Sequence, residues 1–347
     1  MSDSPPFLYS LSPDDWLLAQ FRTMAPRWSL LCQGKSADLG AWREGLVADL
    51  RAALGLDRVE PVEADLKLLD RREDHGITVE RMVYNSEAGV AVPALILLPH
   101  TLDLPQPAVI LCPEAGQGKT GALLQPLWGE RDEPNRSLAR RLLDENLIVA
   151  IPDLACSGER AAPIEPQLAL GGWLGRPLLG RWVNDVLRLI DILDERQEVD
   201  SRRLAIAGVG AGGAVALHAM GLDRRLRVGV AGGQLAANAD RAIALAAGQW
   251  RDLPECLHLM VPGLAALADA TDTACLCAPQ PLLLLHTEQD PSGSIDAARD
   301  SAAVVREGYA RLQGKGMFEA QFLPEVGSRF HEAAREFLVR HLRAQYV

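Results

Sequence analysis

The feature that most constrains the fold is the segment from Arg203 to Met220, RLAIAGVGAGGAVALHAM. Its first part is a short apolar run of strand length, and its last part has the small and apolar residues of a buried helix. Four glycines separate the two parts: Gly208, Gly210, Gly212 and Gly213. Because glycine has no Cβ, the chain can turn sharply there and the helix can pack close to the sheet. The segment therefore predicts a buried strand, a tight turn and a helix.

Two functional motifs have this shape. In the nucleophile elbow, G-x-S-x-G, a strained turn holds a serine above the sheet of an α/β-hydrolase. Residues 208–212 fit this motif except that Gly210 stands where the serine is expected. The dinucleotide-binding fingerprint, G-x-G-x-x-G, is matched in full by Gly208, Gly210 and Gly213. A third interpretation is that the glycines only let a helix lie tightly on a strand.

Composition limits the classes of protein. With 347 residues, of which 48% are hydrophobic, the chain can bury a substantial core in one large domain or two modest ones. Its formal net charge of −11 leaves no basic surface for phosphates. We therefore expect neither a nucleic acid nor a membrane surface as partner, and the sequence does not indicate an oligomeric state.

The cysteines and the amino terminus bear on cellular location. The six cysteines are scattered, with neither a disulfide framework nor the C-x-x-C pairs of a metal site. Residues 1–16 lack the basic start and apolar core of a signal peptide, and no segment has the apolar length of a membrane span. We expect a cytoplasmic protein without a metal site, whose cysteines are buried as small hydrophobic residues.

Apolar periodicity divides the chain. The apolar residues of segment 13–56 have helical spacing, and we therefore predict an amino-terminal helical extension over residues 1–75. The apolar residues on this face are expected to be core; they are Trp16, Leu17, Trp42, Leu46, Leu50 and Leu54. From Ile77 the pattern alternates and then repeats to Leu98, as in an antiparallel hairpin. The main domain is expected over residues 76–347, with a cap inserted at 233–279 whose apolar residues are Trp250, Leu253, Leu257, Met260 and Leu264.

Strands and helices alternate through the main domain. Strands are predicted at residues 107–112, 147–152, 203–209, 226–231, 281–285 and 318–323, and helices at 136–146, from 182 to 193 and at 332–342. Buried strands that alternate with helices indicate a mostly parallel sheet of about eight strands, with helices on both faces. The predicted class is α/β, with the order of an α/β-hydrolase fold.

Position separates the two interpretations of the turn. A dinucleotide-binding domain carries an acidic residue about twenty residues beyond its glycines, at the end of the next strand. Here that strand ends in the sequence AGGQ, residues 231–234. The turn instead follows roughly the fifth strand, and Asp290 and His331 come after two later strands, in the order of the acid and the histidine of an α/β-hydrolase. Alone, either could be a turn residue or polar surface.

Three segments resemble one family. They are CLHLMVPGLAALADATDTACLCAPQPLLLLHTEQDP at 256–291, LGRPLLG at 174–180 and DLACSGE at 153–159. They are similar to the acetyl-xylan-esterase-like α/β-hydrolases, which are related to the dienelactone hydrolases, and the resemblance extends from about Gly76 to the end of the chain. It implies a serine hydrolase that removes small acyl groups, often acetyl, from carbohydrate or similar esters without a cofactor. It also implies a catalytic acid at Asp290 and a catalytic histidine at His331.

The departures from the family concern the site itself. The nucleophile position is Gly210, which has no side chain to attack an ester. The resemblance implies that the oxyanion and substrate site involves Ala211, Ala115 and Glu114. Pro113 offers no N–H group there, and Glu114 brings a carboxylate close to the place where an oxyanion would form. Unless Glu114 is protonated or turned away, it opposes ester hydrolysis by charge repulsion.

Two further motifs give alternative sites. Residues 113–120 match a phosphate-binding P-loop except that Pro113 replaces its first glycine. Cys156 and Ser157 lie in a loop that borders this kind of site, and neither has an activating base beside it in the sequence. Both motifs are weaker than the match to the elbow.

Several hypotheses of function remain. The first is a pseudo-esterase that binds a small ester, acid or carbohydrate, or a protein partner, with little turnover. The second is a hydrolase or lyase in which Asp290 orients His331, and His331 activates water or takes a proton from substrate, with Glu114 as an acid. A weaker alternative is NAD(P) binding by the glycines. A last hypothesis is that Gly210 was introduced to inactivate an active esterase. The altered loop at Pro113 and Glu114 argues against it, because such a knockout would leave that loop unchanged.

Overall fold

The computed structural model describes residues 13–33, 38–100, 105–121, 137–248, 260–290 and 292–344. Nine strands in these residues, β1 to β9, form one sheet. In chain order the strands are Lys67–Asp74, Ile77–Glu87, Val90–Pro99, Gln106–Cys112, Ile148–Pro152, Val199–Val209, Leu226–Gly232, Leu282–Thr287 and Phe318–Leu323. The helices, α1 to α12, are Pro13–Thr23, Leu39–Ala53, Gly118–Gly121, Leu138–Asp144, Ile164–Trp173, Leu178–Asp194, Ala211–Leu222, Asn238–Ala246, Leu264–Leu267, Ala270–Leu276, Ile295–Arg311 and Ser328–Arg343.

The sheet is mostly parallel, as predicted. Its strand order is β1-β2-β3-β5-β4-β6-β7-β8-β9, and all the neighbours from β5 to β9 are parallel. The first three strands form an antiparallel edge, in which β2 and β3 are the predicted hairpin. Gly89 makes the hairpin turn with a φ of +75°, which is a conformation that glycine adopts without strain.

Strand β1 is the ninth strand, where the sequence indicated about eight. It lies within the predicted helical extension and pairs with β2 from Lys67 to Asp74. Its side chains are almost all exposed because it is an edge strand, so the apolar alternation that reveals a half-buried strand is absent. The elbow consequently follows the sixth strand, and the boundary at residue 75 stays a prediction.

Two hydrophobic cores cover the two faces of the sheet. Along β6, Leu204 and Ile206 face one core, which includes residues of α2, α6, α7, α10 and α11. Ala205 and Ala207 face the other core, which includes residues of α4 and α12. This alternation follows from the two-residue period of a strand, and it buries β6 between two helical layers.

The amino-terminal helices differ in burial. The side chain of Asp38 caps α2 by accepting hydrogen bonds from the amides of Gly40 and Ala41. The predicted apolar face of α2 is buried, with Trp42 among the core residues. The same prediction is wrong for α1, since Trp16 is 58% exposed there.

The predicted cap is described only in part. Residues 249–259, with Trp250, Leu253 and Leu257, lie outside the described residues. Helix α8 precedes this gap, and α10 follows it and packs against α7 and α11. Residues 274–278 belong to the core, so the end of the segment is part of the main domain, while a cap over the site stays a prediction. Among the helices described, none has both the length and the apolar character needed to cross a membrane.

Candidate active site

The turn at Gly210 has the predicted geometry. Strand β6 ends at Val209 and α7 begins at Ala211, so that Gly210 alone makes the bend, with φ +54° and ψ −118°. Its amide donates a hydrogen bond of 3.1 Å to the carbonyl of Gly232, and its carbonyl accepts one of 2.9 Å from the side chain of Gln234. Strand β7 and the loop after it therefore hold the turn from one side.

The other glycines of the segment permit close packing. A Cβ on Gly212 would lie 2.2 Å from the carbonyl oxygen of Cys112 in β4. A Cβ on Gly213 would lie 2.4 Å from the carbonyl oxygen of Gly232 in β7. No side chain fits at such distances, so α7 can lie against both strands only because these positions are glycine.

Glu114 occupies the place that the sequence assigned to an oxyanion. Its Oε1 accepts hydrogen bonds from the amide of Ala211, at 2.8 Å, and from its neighbour Ala115, at 3.2 Å. A Cβ on Gly210 would lie 2.0 Å from Oε2 of the same carboxylate. The side chain thus lies between the two predicted oxyanion donors and fills the space of a side chain at position 210. The positive end of α7 stabilises this negative charge.

A partly buried ion cluster holds the segment that follows Glu114. The ammonium group of Lys119 pairs with Asp153 and with Glu159, which belong to the loop after β5. Asp153 is fully buried, and its carboxylate also accepts hydrogen bonds from the amides of Lys119, at 2.7 Å, and Glu159, at 3.0 Å. The two loops are therefore joined by ion pairs and by hydrogen bonds.

Asp290 lies at the edge of the sheet next to the elbow. A Cβ on Gly233 would be 3.2 Å from Oδ2 of Asp290 and 3.7 Å from the amide nitrogen of Gly210. Oδ1 of Asp290 accepts a hydrogen bond of 2.9 Å from the amide of Ser292. Oδ2 lies 3.3 Å from Nδ1 of His286, a fully buried residue of β8. Burial lowers the pKa of His286, and the charge of Asp290 opposes that shift.

His331 lies in the first turn of α12, at the same edge of the sheet. The preceding residue, Phe330, packs against the backbone of Gly232, where a Cβ would lie 2.5 Å from the ring. Gly232 in turn accepts the hydrogen bond from the amide of Gly210. The structure thus brings His331 to the strand that flanks the elbow, and its pairing with Asp290 stays a prediction.

Gln234 and Arg241 lie beside the elbow, although no sequence motif includes them. The buried guanidinium of Arg241 donates a hydrogen bond of 3.2 Å to Gln234, whose amide group contacts the carbonyl of Gly210. Burial lowers the pKa of Arg241, while the charges of Asp269 and Asp290 act in the opposite direction. Only the position of Gln234 in the loop directly after β7, next to the elbow, could have indicated this role.

The other predicted nucleophiles are not activated. Burial raises the pKa of the Cys156 thiol, although Arg181 and Arg160 act against the shift. Ser157 is buried and donates its hydroxyl hydrogen to the carbonyl of Leu154 at 2.7 Å. Within the part of the chain that the structure describes, Ser157 bonds to a backbone carbonyl and no contact joins either residue to an activating base.

The two phosphate-binding motifs serve structural roles. In a P-loop the lysine reaches the phosphates, whereas Lys119 here pairs with two carboxylates. A dinucleotide pyrophosphate would lie at the amino terminus of α7, where the Glu114 carboxylate already takes the amide of Ala211. Across the described residues, no group of three histidine, cysteine or acidic side chains could hold a metal ion.

Comparison with known proteins finds similarity to hydrolases and esterases. The model of the acetyl xylan esterase family (AXE1) matches residues 178–258, which include α6, β6 and the elbow. YtaP of Bacillus subtilis, a protein assigned as a hydrolase, is 23% identical over 282 residues, which cover 78% of this chain and 92% of that protein.

Solved structures of esterases share the fold. A Bacteroides fragilis protein assigned as an acetyl xylan esterase has a TM-score of 0.73 and 17% identity, over 90% of this chain and 83% of that one. A glucuronoyl esterase from Solibacter usitatus has a TM-score of 0.64 and 17% identity, over 90% and 94% of the two chains. Acetyl xylan esterase 1 from Thermoanaerobacterium sp. has a TM-score of 0.59 and 15% identity, over 86% and 93%. The resemblance inferred from the sequence is confirmed.

Proposed function

We propose that this chain, an α/β-hydrolase-fold protein similar to the acetyl xylan esterases, binds a small ester, acid or carbohydrate ligand beside the elbow and hydrolyses acyl esters little. The observation that carries the proposal is the position of Glu114, whose carboxylate accepts hydrogen bonds from both predicted oxyanion donors. The chain shares the fold of esterases, whereas position 210 carries no nucleophile and Glu114 occupies the amides of the predicted oxyanion hole.

Ester hydrolysis by this kind of site needs a nucleophile and an oxyanion hole. Gly210 supplies no nucleophile, and in a well-studied serine protease that loss alone costs on the order of a millionfold in turnover. The Ala211 and Ala115 amides would stabilise a substrate oxyanion only after Glu114 had left them. Both effects lower acyl-ester turnover, and neither prevents a ligand from binding elsewhere at the same edge of the sheet.

The alternative hydrolase, in which Asp290 and His331 activate water, meets the same obstacle. Attack of water on an acyl carbon also develops a negative charge on the carbonyl oxygen. With Glu114 in the hole, that charge would lie near a carboxylate instead of near two amide donors. We therefore favour the binding role, and the experiment below separates the two.

The test is hydrolysis of p-nitrophenyl acetate by the natural protein, by Gly210→Ser and by Gly210→Ser/Glu114→Ala, each compared with its own His331→Ala variant. We expect no His331-dependent rate in the natural protein. We expect the largest such rate in the double variant, because the new side chain at 210 and the carboxylate of Glu114 compete for one space. Calorimetric titration of the natural protein with an acetylated xylo-oligosaccharide, and separately with free acetate, tests the binding.

Three outcomes would contradict the proposal. A His331-dependent rate in the natural protein would favour the alternative in which His331 activates water. If neither serine variant hydrolysed the ester, the site would not have the framework of an esterase. If the oligosaccharide and free acetate both failed to bind, the proposed ligand class would be wrong.

A further inference from the structure

The two carboxylate oxygens of Glu114 have different surroundings. Oε1 accepts hydrogen bonds from the amides of Ala211 and Ala115, and Oε2 lies 2.0 Å from the Cβ that a side chain at position 210 would have. One oxygen is thus in the oxyanion hole, and the other is where the nucleophilic side chain of an elbow begins. We propose that Glu114 is itself a nucleophile, and that it attacks an electrophilic saturated carbon bearing a leaving group, such as that of a primary alkyl halide.

The geometry suits a carboxylate nucleophile because hydrogen bonds orient the carboxylate of Glu114 and stabilise its negative charge. Two amide donors and the amino terminus of α7, a helix of 12 residues, favour a negative charge at Oε1. The buried pair of Lys119 and Asp153 fixes the loop from which Glu114 extends. Carboxylates of Asp and Glu are established covalent nucleophiles in other enzymes.

The occupied hole decides which carbon is attacked. Attack on an acyl carbon places negative charge on the substrate's carbonyl oxygen, and both donors are already bound to Oε1 of Glu114. Displacement at a saturated carbon places the negative charge on the leaving atom, which does not need these donors. The inference goes beyond the proposed binding role and does not depend on it.

The first step forms an ester. An electron pair of Oε2 makes a bond to the alkyl carbon, the bond from carbon to halogen breaks, and the halide leaves with its electron pair. Oε1 becomes the carbonyl oxygen of the new ester and stays hydrogen-bonded to the amides of Ala211 and Ala115.

The second step restores the carboxylate. His331 takes a proton from water, and the resulting hydroxide attacks Cδ of Glu114, so that Oε1 becomes an oxyanion in the hole that already holds it. The bond from Cδ to Oε2 then breaks, and the departing alkoxide takes the proton from His331. The alcohol carries away Oε2, the oxygen of water replaces it in Glu114, and the resulting carboxylic acid releases its proton to solvent to regenerate the carboxylate.

The test uses bromobutane as the probe and mass spectrometry of the intact protein followed by peptide mapping. We expect a butyl ester on Glu114 that accumulates in His331→Ala, because its hydrolysis is slowed. The label at this position should be lost in Glu114→Gln and unchanged in Glu60→Gln, a matched change of an exposed glutamate far from the elbow along the chain. Butylation of cysteines is distinguished by the peptide map.

A second measurement uses the natural protein only and so does not depend on how the variants fold. After turnover in water labelled with oxygen-18, the heavy isotope should appear in the carboxylate of Glu114, and the first butanol released should lack it. Absence of both the ester and the isotope from Glu114 would overturn the proposal. Equal accumulation of the ester with and without His331 would overturn the assignment of its hydrolysis to that residue. Neither result would alter the outcome of the p-nitrophenyl acetate assay.

Discussion

At residue scale, the site depends on how Gly210 and Glu114 complement each other. Gly210 has a positive φ of +54°, a conformation that costs other residues on the order of 1–3 kcal/mol. With glycine there, that cost is small and the space above the turn is open. The carboxylate of Glu114 fills this space and takes the amides at the start of α7. The absence of one side chain and the position of another are therefore a single structural feature.

His218, a buried residue of α7, should make the free energy of unfolding depend on pH. Burial lowers the pKa of His218 to about 4, although its hydrogen bond of 2.8 Å with the carbonyl of Ala214 acts in the opposite direction. The unfolded chain binds a proton near pH 6.5, whereas the folded chain does not until about pH 4. The stabilisation from neutral His218 is thus complete above pH 6.5 and is lost as the pH falls towards 4, by about 3 kcal/mol.

The measurement is the free energy of unfolding by urea between pH 4 and 7, for the natural protein and for His218→Gln. Glutamine can donate to the carbonyl of Ala214 and does not titrate, so we expect a shallower decline in the variant. His286 and His341 also have pKa values lowered by burial and should leave a residual slope in both proteins. Parallel curves for the two proteins would contradict the prediction.

At the scale of elements, the loops after β4 and β5 form one unit. Lys119 lies in the short helix α3, which ends the first loop, and its buried side chain pairs with the carboxylates of Asp153 and Glu159 in the second. A Cβ on Gly118 would lie 2.5 Å from the Cα of Gly158, so the backbones of the two loops are in direct contact. The position of Glu114 therefore depends on a contact between loops as well as on its own rotamer.

We predict that Lys119→Met destabilises the protein by about 3–5 kcal/mol, because Asp153 would be left as an unpaired buried charge. The matched control is Lys67→Met, which removes an exposed ion pair with Asp65 and should cost less than about 1 kcal/mol. Urea unfolding at neutral pH measures both variants. Equal effects of the two changes would show that the buried cluster does not stabilise these loops.

At the scale of the whole molecule, the amino-terminal helix α2 is part of the main core. Trp42 is 2% exposed, and its indole donates a hydrogen bond of 2.8 Å to the carbonyl of Trp28. Arg43 donates to the carbonyls of Leu276 and Ala278, at 2.8 and 2.7 Å, and so ties α2 to the segment before β8. The extension and the sheet should therefore unfold together.

We predict that Trp42→Ala costs about 3–5 kcal/mol through the cavity that it leaves, and that a single unfolding transition remains. Trp173→Ala is the control, because Trp173 is 83% exposed and its loss should change the stability by less than about 0.5 kcal/mol. Circular dichroism and tryptophan fluorescence, followed in the same denaturant series, are the measurement. Two separated transitions would mean that α2 is an independent unit.

The fold could be predicted from the sequence wherever burial leaves a periodic pattern. The strands from β2 to β9 are apolar or alternating because they are covered by helices on one or both faces. Strand β1, with the sequence KLLDRRED, was not predicted because an exposed edge strand needs no apolar pattern. For Trp16 the pattern predicted burial that the structure does not show, since this apolar side chain is exposed in α1.

The positions of the candidate site residues were more predictable than their contacts. The motif placed Gly210 at the turn, and the order of the strands placed Asp290 and His331 at its edge. That Glu114 accepts hydrogen bonds from both Ala211 and Ala115 depends on side-chain torsions that no sequence spacing encodes. The contact of Asp290 with His286 likewise depends on the path of the loop after β8.

The overlap between Glu114 and a side chain at position 210 has a consequence for the history of such a chain. The effect of a serine at 210 depends on the residue at 114, because its Cβ would expel the carboxylate from its two amide donors. The two positions are thus epistatic, because the effect of a mutation at one depends on the residue at the other. A serine at 210 would supply a nucleophile, but the displaced carboxylate would remain close to the oxyanion donors until a second mutation removed it. The order of these two mutations therefore matters. If Glu114 is replaced first, the intermediate has neither the carboxylate nor a serine, whereas if Gly210 is replaced first, the intermediate has both.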